Sequence, residues 1–149
     1  MAKQTLRQRL GAQRPYVLDE QVGYVLRQVY QRHAALFMNV VGDELTPTQW
    51  AALSRLSQSG ACSQNLLGRL TAMDASTIKG VVDRLRSRGL VERIPDPEDG
   101  RRLLVQLTPP GAELVSRTMP LAQLVTEQTL APLSADERVL FLEALQKLT

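Results

Sequence analysis

Residues 46–108 place two short helices immediately before a β-hairpin, and this order restricts the possible folds more than any other feature of the chain. Ser63 can cap the first helix, and Asp74 can cap the second, which Gly89 should end in the left-handed conformation. Two short helices joined by a tight turn, the second amphipathic and basic, predict a helix-turn-helix. The residues expected to face inward are Leu66, Leu67 and Leu70 in the first helix and Ile78, Val81, Val82 and Leu85 in the second.

The hairpin is predicted from the stretch GLVERIPDPEDGRRLLVQLT, residues 89–108. Its two ends are rich in β-branched and other apolar residues, and between them lies a turn of Pro, Asp and Gly. A helix-turn-helix followed directly by such a hairpin predicts a winged helix.

Further helix signals lie on both sides of this segment. The spacing of apolar residues predicts one long helix from Asp19 to Val41, and Thr46 opens a capping box in TPTQW. Thr108 should cap a fifth helix, and Ser134 begins a second capping box, SADE, that opens a terminal helix. The predicted fold class is therefore mainly α with a small β-hairpin wing.

Composition and single residues exclude several classes of protein. The 149 residues are 44% hydrophobic and 22% charged, with no long apolar run and no secretory signal, so we expect a cytoplasmic protein with no membrane span. One cysteine, Cys62, and one histidine, His33, exclude a cysteine-rich or multi-histidine metal site within one chain. The sequence has no Gly-rich phosphate loop and no nucleophile motif, so neither an enzyme nor a cofactor is predicted.

Charge is unevenly distributed along the chain, although the formal net charge is only +3. Residues 50–90 contain six basic residues against two acidic ones, whereas residues 112–149 contain more acidic than basic residues. The helix-turn-helix is therefore the part suited to a polyanion.

The stretch DASTIKGVVDRLRSRGLVERIPDPEDGRRLLVQLTPPG, residues 74–111, resembles the MarR family of bacterial transcriptional regulators, and the order of helices extends the resemblance over nearly the whole chain. The resemblance implies a homodimer that holds two winged helices over a pseudo-palindromic operator in double-stranded DNA. It implies one intertwined unit, in which residues 1–45 and 109–149 dimerise and residues 46–108 bind DNA. Two features depart from the family pattern: Pro120, which should kink the fifth helix, and a longer basic arm at residues 1–18.

Candidate DNA contacts lie on the second helix of the motif and on the wing. Near the start of that helix, short polar groups and a lysine can reach base edges or phosphates. In the family's Asp-x-Arg wing motif, Asp99 would orient Arg101 for the minor groove, and Arg102 would contact the DNA backbone. The candidates on the helix are Ala75, Ser76, Thr77, Lys79 and Gly80 for the groove, with Arg84 and Arg86 for phosphates.

The resemblance also implies a small aromatic acid or phenol as effector, bound between the dimerisation helices and the DNA-binding lobe. Such a ring needs apolar walls, and its carboxylate needs a donor. Within the family, the chain looks like repressors of aromatic acid or nicotinate catabolism. The candidate lining residues are Tyr30, His33, Phe37, Met38 and Trp50, with Arg14 from the N-terminal arm of the other subunit.

Two alternative functions remain open at this stage. An oxidant-sensing regulator would use the thiol of Cys62, although this residue lies just ahead of the helix that Ser63 caps and not in the long helix from Asp19 to Val41. A winged helix can also dock a partner protein instead of DNA. Steep weakening of binding with added salt would distinguish DNA from an apolar protein partner.

Overall fold

The computed structural model describes residues 15–149, which form six α-helices and one two-stranded antiparallel sheet. Of these described residues, those up to Arg32 and those from His33 to Thr149 belong to two compact units. This architecture confirms the predicted mainly α fold with a hairpin wing. The elements are α1 (Val22–Val41), α2 (Pro47–Ser59), α3 (Gln64–Leu70), α4 (Ala75–Ser87), β1 (Val91–Pro95), β2 (Leu103–Leu107), α5 (Pro109–Leu130) and α6 (Ala135–Gln146).

Capping side chains fix where five of the helices begin. Each predicted cap accepts a hydrogen bond from the backbone N–H three residues further on, which satisfies a donor that the helix itself leaves unpaired. Two of these caps also complete the reciprocal bond of a capping box, in which a Gln or Glu side chain accepts from the backbone of the cap. The confirmed caps are Thr46, Ser63, Asp74, Thr108 and Ser134.

The first helix begins later than the sequence predicted. Leu18–Glu20 form a single 3-10 turn, and α1 starts only at Val22, three residues after Asp19. Gln21 interrupts the two because its backbone is extended, with φ of −86° and ψ of 126°. Its side chain donates a hydrogen bond back to the carbonyl oxygen of Val17 at 2.8 Å, which closes the 3-10 turn.

A single apolar core joins α2, α3, α4, the hairpin and the first half of α5. The prediction for α4 is confirmed, since all four of its expected inward residues are buried. The prediction for α3 was wrong for Leu66 and Leu70, which are exposed, because a helix of fewer than two turns buries only one side, here at Leu67. Core residues no more than 2% exposed include Leu53, Leu67, Ile78, Val82, Leu85, Val105 and Leu114.

The hairpin is attached to the helices at its middle. Arg93 on β1 pairs with Val105 on β2 in the antiparallel register. Val105 also forms a bridge with Cys62, ahead of α3, in which the N–H of each residue donates to the carbonyl of the other at 2.8 and 3.1 Å. The wing is therefore hydrogen-bonded to the segment that precedes α3.

The start of α5 touches the turn that ends α4. Gly89 adopts a φ of 70°, which favours glycine, and its carbonyl accepts from the hydroxyl of Thr108 at 2.6 Å. The N–H of Thr108 donates to the carbonyl of Leu90 at 3.1 Å. A Cβ at Gly111 would lie only 2.0 Å from that same carbonyl oxygen, so only glycine fits at this contact. We call these four residues the α4–α5 junction.

Helix α5 is continuous from Pro109 to Leu130, with Pro120 inside it. Proline supplies no backbone donor, so this helix lacks one of its internal hydrogen bonds. None of the helices in residues 15–149 is long and apolar enough to cross a lipid bilayer.

We expect Gly111→Ala to destabilise the protein by about 3 kcal/mol or more, because the new methyl group meets a backbone carbonyl that cannot move away alone. Urea denaturation followed by circular dichroism measures the change. Gly100→Ala is the matched control, since nothing lies within 4 Å of a Cβ at that position. Equal stability of the two variants would contradict the close contact.

Asp74 should contribute stability only while it is ionised. Its carboxylate accepts the N–H of Thr77 at 2.7 Å, and this bond lowers the pKa of Asp74 below its ordinary value of 3.8. A lowered pKa in the folded state gives stability that is present above the ordinary value and lost as pH falls through the folded value.

The matched variant is Asp74→Asn, which keeps a capping oxygen but does not titrate. We expect the melting temperature of the natural protein to exceed that of the variant at about pH 6, and the difference to shrink towards about pH 3. A difference that stays constant with pH would show that the charge of Asp74 contributes nothing.

Candidate nucleic-acid interface

Helix α4 has one apolar face and one polar face. Ile78, Val81, Val82 and Leu85 are buried in the core, so the helix cannot rotate without losing that burial. The opposite face is exposed to solvent. It carries mainly short polar residues at the start of the helix and arginines at its end. All the predicted contacts on this helix lie outside the buried face: Ala75, Ser76, Thr77, Lys79, Arg84 and Arg86 are exposed, and Gly80 is half-buried.

An ionic network crosses from α4 to the wing and to α3. Lys79 pairs with Asp83 one turn later at 2.8 Å, and the other carboxylate oxygen of Asp83 lies 3.3 Å from Arg93 on β1. Arg93 also donates to the side-chain oxygen of Gln64 at 2.9 Å. The hydrogen bond from Lys79, followed by the positive charges nearby, lowers the pKa of Asp83. Arg93 thereby connects the wing with both helices of the helix-turn-helix.

The ion pair between Lys79 and Asp83 is weak, so Lys79 remains available to bind DNA. Its side chain is 67% exposed, and an exposed pair one helical turn apart contributes only about 0.3 to 0.5 kcal/mol. A phosphate group or an acceptor on a base can therefore replace Asp83 as the partner of Lys79 at little cost.

The wing tip is held by its own acidic side chains. Asp99 accepts the backbone N–H of Arg101 at 3.1 Å, and Asp96 accepts that of Glu98 at 2.9 Å. The ion-pair partner of Asp99 is Arg102, at 3.8 Å, and not the side chain of Arg101. Asp99 therefore fixes the backbone at Arg101, and Arg101 is exposed.

A second group of charges connects the end of α4 with α5. The guanidinium of Arg88 donates to the backbone carbonyl of Glu44 at 2.7 Å, and Arg117 on α5 pairs with the Glu44 carboxylate. Through this bond Arg88 holds the loop ahead of α2. Both side chains of the ion pair are about half exposed, so its contribution is at most about 1 kcal/mol.

The residues expected to line an effector site differ in exposure. Phe37 is buried, His33 and Trp50 are half-buried, and Met38 is exposed, all within residues 33–149. Tyr30 is exposed in the preceding unit, and Arg14 lies outside the described residues.

His33 forms a side-chain hydrogen bond with Thr129 on α5. Its Nδ1 lies 2.9 Å from the hydroxyl oxygen of Thr129, and that hydroxyl donates its hydrogen to the carbonyl of Val125 at 2.7 Å. Because the single hydrogen of this hydroxyl is used for Val125, the pair fits the tautomer that carries its hydrogen on Nδ1 and leaves Nε2 as an acceptor.

Cys62 is poorly suited to sensing oxidants. It is buried, and its burial raises the pKa of the thiol above the ordinary value of 9.0, which reduces the fraction of reactive thiolate. The described residues 15–149 also contain no group of three or more His, Cys, Asp or Glu side chains able to hold a metal ion.

Arg93 was not among the candidates predicted from the sequence. The i, i+4 spacing of Lys79 and Asp83 could have indicated their pair. The contacts of Arg93 with Asp83 and Gln64 arise only when the hairpin packs beside both helices. Charge on the wing and on α4 thus belongs to one connected surface within residues 33–149.

Comparison with known proteins identifies the family to which this arrangement belongs. Residues 43–102 match the sequence model of the MarR family. The chain is 43% identical over 135 residues to the HTH-type transcriptional repressor NicR of Pseudomonas putida, an alignment that covers 90% of this chain and 85% of NicR.

Solved structures agree with that match over most of the chain. The Bordetella bronchiseptica regulator BpsR, whose DNA binding is regulated by 6-hydroxynicotinic acid, is 40% identical with a TM-score of 0.87, covering 91% of this chain and 97% of BpsR. A variant of MarR from E. coli bound to operator DNA is 26% identical with a TM-score of 0.79, covering 85% and 92%. The chain belongs to the MarR family and is a transcriptional regulator, not an enzyme.

Proposed function

We propose that the protein is a homodimeric repressor that binds a pseudo-palindromic operator and releases it when a small aromatic acid binds. The observation that carries the DNA-binding part is the exposed polar face of α4 together with the exposed Arg101 at the wing tip, both within residues 33–149. Such a protein would act in the cytoplasm, on double-stranded DNA.

Each part of the surface suits a different feature of DNA. The start of α4 presents small side chains at Ala75, Ser76 and Gly80, so the backbone can come near the major groove. Thr77 and Lys79 supply groups able to contact base edges or phosphates. Arg84 and Arg86, further along, are assigned to the sugar–phosphate backbone. The MarR variant from E. coli has operator DNA bound in its structure.

The wing supplies the second contact. Asp99 fixes the backbone at Arg101, so less conformational entropy is lost when the Arg101 side chain enters the minor groove. A narrow minor groove has an enhanced negative potential that attracts arginine. Arg102 remains near the base of the tip and is assigned to a backbone phosphate.

Exposed apolar residues support a homodimer. In the unit that ends at Arg32, apolar residues of α1 recur at helical spacing on one exposed side, and α5 and α6 carry further exposed apolar residues. Stripes of this kind mark interfaces, unlike apolar residues scattered singly. These exposed residues include Val22, Val25, Leu26, Val29 and Tyr30 on α1, Leu121 and Leu124 on α5, and Val139, Leu140 and Leu142 on α6.

Symmetry then determines the form of the operator. Two identical subunits related by a two-fold axis read the same sequence in opposite directions, which requires two inverted half-sites. In helix-turn-helix dimers, the half-site centres lie roughly 10 base pairs apart or a multiple of that. We therefore expect a pseudo-palindrome of this spacing.

The proposed effector is an aromatic acid, with hydroxypyridine carboxylates as the first class to test. NicR is 43% identical to this chain, and the DNA binding of BpsR responds to 6-hydroxynicotinic acid. His33, whose Nδ1 lies 2.9 Å from the hydroxyl oxygen of Thr129, has its other ring nitrogen, Nε2, as the candidate polar contact for the ligand. Phe37, Met38 and Trp50 are the candidates for the apolar walls. Tyr30 and, as a donor to the carboxylate, Arg14 of the other subunit remain candidates from the sequence alone.

We expect Arg101→Ala and Lys79→Ala each to weaken operator binding by roughly 1 to 3 kcal/mol without lowering the melting temperature. The measurement is fluorescence anisotropy at fixed salt, with the DNA upstream of the protein's own gene. Lys147→Ala, at an exposed position after α6, removes one positive charge away from the proposed surface and serves as the control. Unchanged affinity of both DNA-surface variants at fixed salt would contradict these assignments.

We expect a bound aromatic acid to raise the Kd for operator DNA by roughly 5- to 150-fold, the usual range of allosteric coupling. The test titrates 6-hydroxynicotinate, nicotinate and benzoate against the preformed complex, with cyclohexanecarboxylate as a non-aromatic control. His33→Ala should bind DNA normally in the absence of acid and respond less when acid is added. If no aromatic acid releases the DNA, the effector proposal fails while DNA binding stands.

A further inference from the structure

A groove of about 740 Å³ runs between α3 and the tip end of the wing. The bridge between Cys62 and Val105 links the start of one wall to the other, so the two walls cannot separate without breaking two backbone hydrogen bonds. Six of the residues that line it are Gln64, Asn65, Leu66 and Arg69 on α3, and Asp96 and Arg102 on the wing.

The charges of the groove favour an anion. Arg69 is exposed and has no ion-pair partner among residues 15–149. Arg102, on the opposite wall, is 75% exposed and has only the long contact of 3.8 Å with Asp99. The carboxylate that lines the groove is Asp96, and one of its oxygens already accepts the N–H of Glu98. Two guanidinium groups therefore face a single carboxylate.

The position of the groove identifies which anion can reach it. In the complex proposed above, α4 occupies the major groove and Arg101 the neighbouring minor groove. One sugar–phosphate strand separates those two grooves of DNA, so it must cross the protein between the helix-turn-helix and the wing. Gln64, which lines the groove, accepts a hydrogen bond from Arg93, and Arg93 also contacts Asp83 on α4, so the groove adjoins α4 on one side and the wing on the other. Guanidinium groups bind phosphate with two parallel hydrogen bonds.

We propose that this groove holds the sugar–phosphate backbone of one DNA strand and that Arg69 is a phosphate-binding residue acting together with Arg102. The proposal rests on the DNA-binding function proposed above and adds a contact that carries no sequence information. Arg69 therefore helps to determine how tightly and in which register the protein sits on DNA, whereas α4 and Arg101 determine which sequence is read.

Salt dependence tests the proposal with Arg69→Gln, using Lys147→Gln as the control that loses the same charge. Each phosphate contact contributes roughly 0.9 to the slope of log affinity against log salt, so a dimer that loses two contacts should lose roughly 1.8. At about 0.1 M salt, the affinity should fall roughly tenfold per protomer. Arg69→Lys, which keeps the charge, should recover most of the slope.

Comparing the affinity for the operator with the affinity for an unrelated duplex of equal length distinguishes a phosphate contact from a base contact. Arg69→Gln should weaken binding to both by the same factor. A loss confined to the operator, or a slope equal to that of Lys147→Gln, would overturn the proposal. If the natural protein binds neither duplex in a salt-dependent way, the DNA-binding function fails instead, so the two failures are distinguishable.

Neutral methylphosphonate groups, placed one at a time along the operator, locate the contact. We expect one position in each half-site where the substitution weakens the natural protein severalfold and leaves Arg69→Gln unaffected. If every methylphosphonate weakens both proteins equally, Arg69 does not contact a phosphate.

Discussion

The α4–α5 junction is the constraint on which the rest of the lobe depends. Thr108 caps α5, donates its N–H to Leu90, and donates its hydroxyl hydrogen to Gly89, so one residue connects the wing, the end of α4 and the start of α5. Gly111 lets the helix backbone approach the carbonyl of Leu90 without a side chain between them. The wing cannot then move away from α4 without breaking several buried or short-range contacts at once.

That constraint gives the exposed surface a fixed form. The buried face of α4 determines its rotation, Arg93 ties the wing to α4 and α3, and the bridge from Cys62 to Val105 holds the hairpin at its middle. Polar residues on α4 and Arg101 at the wing tip are therefore displayed from one scaffold. Because the scaffold is already ordered, little conformational entropy is lost within the lobe on binding.

Local signals could be predicted from the sequence, and contacts between distant residues could not. Every cap was correct because a cap and its partner lie three residues apart, and the inward face of α4 follows from helical spacing alone. The break at Gln21, the exposure of Leu66 and Leu70, and the pairing of Asp99 with Arg102 depend on backbone geometry and packing that spacing does not encode. The sequence shows which polar and basic residues are available for contact with DNA. The groove beside Arg69 forms only when α3 packs next to the wing, and residue spacing does not encode that packing.

A lobe tied together in this way restricts how a ligand can regulate it. Changing the angle between α4 and the wing would break the α4–α5 junction and the contacts of Arg93 together. Changing the distance between the DNA-binding lobes of the two subunits, residues 46–108 of each, would break neither. A ligand shifts an equilibrium only by its differential affinity for the two states, and a coupling of roughly 1 to 3 kcal/mol is too small to disrupt a packed core. An effector of the proposed dimer should therefore act on the spacing between lobes, through the helices that carry the exposed apolar residues, and leave each DNA-reading surface unchanged.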